Sequence, residues 1–167
     1  MRATIMYIKK EMIVGAGIYF CGIILGVLLF RNKCLEMVPQ SLGVAEIFFN
    51  NIKIASIILV LGWITVGIGS SVLMFINGAT LGGTVMGVIN QYSFRPILTA
   101  VLPHVVFEII GLVCFTAVSY ETMKLLLNAI TKRKIKMLYI KKDLITLGMG
   151  ILFLMIAALI EGTISRV

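Results

Sequence analysis

The sequence predicts an all-α fold, a polytopic integral membrane bundle of about five transmembrane helices, with its N-terminus inside and its C-terminus outside (N-in/C-out). Three observations predict it. Hydrophobic residues make up 60% of the 167 positions, and the mean hydropathy is +1.08. A soluble globule of this size buries only about two-thirds of the area its chain exposes, so it cannot hide so much apolar surface. Charged residues are 13% of the chain, where soluble domains carry about 25%. The charges also fall between apolar runs rather than along them. The lipid bilayer is therefore the expected solvent for most of the chain, in the cell (plasma) membrane.

The elements follow in order, within a single transmembrane domain covering residues 1–167. Met1 to Glu11 is short and basic, and the uncharged run 12–30 is long enough for one spanning helix. Arg-Asn-Lys-Cys follows it in place of a small-residue cleavage site, so the run reads as an uncleaved helix. Arg31 to Lys53 forms a polar connection, broken by Pro39 and Gly43 and carrying Asn50 and Asn51. Val44 to Phe49 is apolar again and reads as interfacial or as a lead into the next helix.

From Ile54 to Phe94 no residue is charged. That run is too long for one crossing of a membrane about 30 Å thick, so it must fold back. Asn77-Gly78 is a turn dipeptide, with Gly82-Gly83 close behind, which predicts helices over 54–76 and 79–93. Ala79, Gly83 and Gly87 recur every four positions, a stripe that lets a neighbouring helix approach, and Gly22 and Gly26 offer a similar notch on the first helix. Arg95-Pro96 opens a fourth helix over 97–120, with proline where its missing N–H costs little. A strongly basic connection over 121–142 precedes the fifth helix, 144–160, which Glu161 closes.

Lysines and arginines set the orientation. With the N-terminus inside and five crossings, ten basic residues lie inside and five outside, and seven of the ten belong to the 121–142 connection. The net charge of +8 therefore reads as an orienting device rather than a track for nucleic acid. Cys21, Cys34 and Cys114 have neither disulfide-framework nor zinc spacing.

The candidate site lies in the fourth helix. His104, the only histidine, precedes Glu108 by four residues, so both lie on one face. Pro103 precedes the pair and deprives the carbonyl of Thr99 of its helical donor. At about 1.5 Å per residue, His104 lies roughly 10–13 Å below the outer start of the helix and Glu108 roughly 18 Å. An ionised carboxylate at that depth is costly unless paired, and His104 is its nearest candidate partner, with Asn50 and Asn51 as others. Structural clamp, proton- or substrate-handling site and metal ligand are the possible roles. Two ligands at helical spacing are too few to argue a metal, no cofactor motif is present, and P-loop, H-E-x-x-H and G-x-S-x-G are absent. Glu161 reads as an outer-end carboxylate.

Taken together, Asn50-Asn51, Asn77-Gly78 before Gly82, Leu102-Pro103-His104 before Glu108, and the closing Glu161 resemble the stage II sporulation protein M family of small polytopic membrane proteins. The resemblance spans about residues 12–165. It departs at Val105, where the family usually has glycine, and at Ile109-Ile110, where proline often follows the glutamate. The resemblance implies a non-enzymatic membrane scaffold. Sporulation members are understood as scaffolds for cell-wall hydrolases, whereas members of similar size occur in circular bacteriocin gene clusters and are tied to peptide secretion or immunity. The short outer connections favour the second branch, with an ABC-type exporter, other membrane proteins, further copies of the chain and a secreted peptide as expected partners. A small proton-coupled transporter or channel built on His104 and Glu108 is the alternative from another class.

Overall fold

A computed structural model describes residues 2–32, 42–92, 94–131 and 137–164. Five helices, α1 (Arg2–Phe30), α2 (Val44–Ile64), α3 (Ile68–Gln91), α4 (Leu102–Ile130) and α5 (Met137–Ile164), make an all-helical molecule, with a short π-helical turn, Ile97–Val101, leading into α4. Each helix contains a stretch long and apolar enough to cross a membrane: 10–30, 44–64, 68–91, 97–122 and 140–163. The chain is a multi-pass membrane protein.

The second and third helices do not meet at Asn77-Gly78. α2 begins at Val44, ten residues before the expected 54, and the chain reverses at Thr65-Val66-Gly67. Lys53 lies within α2 and is exposed, so a charge that marks a boundary in sequence is carried on the helix surface, where a long side chain can reach outward. At the start of α2 the Glu46 side chain accepts the Gly43 N–H at 2.9 Å. At the reversal, the Thr65 hydroxyl donates to the Leu61 carbonyl and accepts the Gly69 N–H, both at 2.6 Å. One side chain thus closes α2 and opens α3. The Gly67 N–H reaches back to the Gly62 carbonyl at 2.7 Å, as in glycine-assisted helix ends. Val66 (φ 59°) and Gly67 (φ 89°) both occupy the left-handed region.

Asn77 and Gly78 are interior to α3. The Asn77 side chain donates to the Leu73 carbonyl of its own helix at 2.9 Å. Gly78 and Gly82 lie directly against the backbone of α1 at Tyr19 and Ile23, while Gly22 and Gly26 of α1 lie against Phe75 and Ala79. A methyl at any of these four positions would overlap a carbonyl oxygen. The glycines that suggested a turn are used to bring two helices together. Gly83 faces the Phe30 ring, and Gly87 is buried.

These contacts also fix the helix directions. Positions rise together along α1 and α3, so that pair is parallel. Gly111 of α4 meets Leu154 of α5 and Gly150 of α5 meets Phe115 of α4, so this pair is antiparallel. Gly62 of α2 lies against Ser70 of α3 and Ser119 of α4, and Gly162 of α5 against Val44 of α2. The bundle therefore has an upper end, where α1 and α3 end and α2 and the turn before α4 begin, and a lower end, with the 65–67 reversal, the end of α4 and the start of α5. Its core is Tyr19, Ala55, Ile58, Met74, Leu112, Val113, Phe115 and Leu154.

The basic 121–142 segment is mostly helix, because α4 continues to Ile130 and α5 starts at Met137. Lys132, Arg133, Lys134, Lys136 and Arg166 lie outside the described residues, as do Cys34 and Pro39.

Candidate functional site

Pro103 shapes the start of the site. Lacking an N–H and crowding the carbonyl four residues back, a proline cannot continue a regular helix without adjustment. The preceding turn is widened instead: Leu102 N–H donates to the Ile97 carbonyl, five residues back. A widened turn of this kind absorbs a helix irregularity locally and is frequent at functional sites. Below it α4 is regular, so His104 and Glu108 keep the four-residue spacing that aligns them on one face.

The structure gives His104 a partner from another helix. Its Nε2 is 4.0 Å from Glu161 Oε2 of α5, with the two side chains 12% and 34% exposed. The imidazole makes an ion pair there only when protonated. Glu161, which reads in sequence as a terminal carboxylate, is brought into the site because α5 runs antiparallel to α4 and its last turn stands beside the widened turn. Glu108 is partly buried and lies within electrostatic range of both Glu161 and Tyr19. Tyr19, 2% exposed, enters from α1.

α2 contributes a buried stripe, Ile47, Asn51, Ala55, Ile58 and Gly62, spaced by three and four residues. Asn51 is 6% exposed, and its Nδ2 has no hydrogen-bond partner among the described residues. Leaving a buried amide donor unmatched costs roughly 1–3 kcal/mol. Asn50, next to it on α2, is exposed. Asn77, on α3, is occupied within its own helix.

The upper half of the bundle thus holds one imidazole and two carboxylates, with a phenol and an amide donor on the neighbouring helices. Such a set can hold a hydrogen-bonding or cationic group, or exchange a proton. Among the described residues, no three His, Cys, Asp or Glu side chains are grouped so as to hold a metal ion.

Two features escape a sequence reading. Tyr19 sits in an apolar run where an aromatic residue reads as lipid-facing or core. Its only signal is a lone hydroxyl in an otherwise apolar run. In the lower half, Ser70 Oγ donates to the Ile58 carbonyl at 2.8 Å and pairs with Ser119 Oγ at 2.7 Å, while Ser71 Oγ pairs with the Tyr120 hydroxyl at 2.6 Å. These hydroxyls join α2, α3 and α4.

Among known families, the one described as stage II sporulation protein M matches residues 15–166. No curated protein and no solved structure matches the chain.

Proposed function

The chain belongs to the stage II sporulation protein M family, and from that membership we propose that it is a non-enzymatic membrane accessory subunit, oriented N-in/C-out, serving secretion of a bacteriocin-type peptide or protection against it. The observation that carries this reading is where the polar groups lie. His104, Glu108, Glu161, Tyr19 and Asn51 belong to four different helices between the upper end and the middle of the bundle, whereas the exposed helix surfaces are largely aliphatic and aromatic. Recognition then takes place in the plane of the membrane, against helices of an exporter or against an apolar peptide. The short 31–43 connection gives little footing for a wall hydrolase, which weighs against the sporulation-type scaffold.

Deletion in the native host tests this reading. Peptide secretion or self-resistance should fall, and the tagged protein should co-purify with an ATP-driven exporter. Intact secretion and resistance, with a wall hydrolase co-purifying instead, would replace it by the sporulation-type scaffold. A second reading, a proton-coupled transporter, is favoured by the ionisable groups at both ends of the bundle. Proteoliposomes that pass neither protons nor solute would remove it.

A further inference from the structure

The lower half of the bundle holds a second group of buried charge, distinct from the His104 site and independent of the function proposed above. Glu121 of α4 and Asp143 of α5 are 5% and 7% exposed. Their carboxyls lie within hydrogen-bonding reach of one another. Glu121 Oε2 and Asp143 Oδ1 nevertheless have no hydrogen-bond donor among the described residues. Lys142 Nζ is also buried, has no hydrogen-bond partner among the described residues, and acts on Asp143 electrostatically.

An ionised carboxylate accepts hydrogen bonds and donates none. Two of them facing each other in a water-poor interior repel, and each leaves a lone pair unmatched. Something must stand between them. Two carboxylates are too few for the six to eight oxygen ligands, roughly, of a divalent cation such as calcium. A single proton satisfies both oxygens. We propose that Glu121 and Asp143 form a proton-binding site, one carboxyl donating a shared proton to the other and so latching α4 to α5 beside their connection.

The surrounding groups fit this arrangement. With one proton bound, the dyad carries a single negative charge, which the Lys142 ammonium balances. Lys141 beside it is exposed. From α1, Glu11 acts electrostatically on Tyr120, whose hydroxyl is already held by Ser71 of α3. On α2 the Ile58 carbonyl is taken by Ser70.

The full chain in lipid nanodiscs at neutral pH tests this by infrared spectroscopy. The expected result is a protonated-carboxyl stretch that Asp143→Asn and Glu121→Gln each abolish, because an amide N–H then replaces the shared proton, and that Glu108→Gln leaves in place. A band that survives both substitutions overturns the proposal. So does a band that appears only when sodium is exchanged for a bulky organic cation, since a metal ion would then occupy the dyad. Should the variants not fold, the unaltered chain still decides. Asp143 is its only aspartate, so ¹³C-aspartate labelling gives one carboxyl signal. Its NMR titration should show two steps, as coupled groups do. A single ordinary aspartate step overturns the sharing.

Discussion

His104 has one carboxylate four residues downstream and another at the far end of the chain, and the structure brings the distant one to 4.0 Å from its Nε2. Helical spacing aligns His104 with Glu108, but a pair on one helix gains only what both side chains reach along that face. Glu161 approaches the imidazole from across the α4–α5 contact. The two should therefore be energetically coupled. In a double-mutant cycle of His104→Ala and Glu161→Gln, read by thermal unfolding in detergent, we expect a coupling energy of about 1 kcal/mol. Strict additivity would remove the pairing. Val66 offers a prediction of opposite sign. It is a β-branched residue at φ 59° and is 60% exposed, so it bears left-handed strain while burying little. Val66→Asn should stabilise the fold by about 1 kcal/mol, seen as a higher unfolding temperature. A lower temperature would mean that the side chain contributes more than its exposure suggests.

At the level of the helix, the glycines decide the packing of α1 on α3. Gly78→Ala places a methyl on the Tyr19 carbonyl and Gly82→Ala places one on the Ile23 carbonyl. Forcing the helices apart should cost about 1–3 kcal/mol for each. Gly17→Ala is the control, because nothing lies within 4 Å of a Cβ there. Equal melting of all three variants would show that the close approach is not what holds the pair. The same glycines explain how much of the fold could be read in the sequence. Helices one, four and five emerge from long, mostly apolar runs, since a segment crossing lipid must satisfy its own backbone, as a helix does. The reversal between α2 and α3 does not emerge. Asn77-Gly78 carries the stronger local turn signal, whereas Thr65-Val66-Gly67 depends on a threonine that caps two helices at once. Glycine means a bend or a close contact, and only the neighbouring helix distinguishes them. The site was legible to the same degree. Spacing and burial cost point to His104 and Glu108 locally, while Glu161, Tyr19 and the Glu121–Asp143 pair come together only through interhelical packing. Glu121 and Asp143 are further hidden in sequence by the lysines around them, which make an acidic pair look like part of a basic loop.

Across the whole molecule, helix directions place both charged groups at defined ends. α1, α3 and α5 run one way and α2 and α4 the other, so the His104 group lies towards the upper end and the Glu121–Asp143 group towards the lower. Which end faces the cytoplasm is a separate question, set during insertion by flanking lysines and arginines rather than by packing. Seven of the fifteen basic residues belong to the 121–142 segment at the lower end, and three more, Arg2, Lys9 and Lys10, lie in the first turns of α1 at that same end. The lower end should therefore be cytoplasmic, which puts His104 and Glu161 in the outer half and Glu108 near the midplane, where a secreted peptide would pass. Cysteine labelling checks this in a chain whose three native cysteines are replaced by serine. Tyr92, at the upper end, and Thr131, at the lower, are both exposed. On intact cells a membrane-impermeant maleimide should label Tyr92→Cys, and should reach Thr131→Cys only after permeabilisation. The reverse pattern would turn the molecule over. The Glu121–Asp143 site would then face outward, and the His104 group would meet whatever arrives from the cytoplasm.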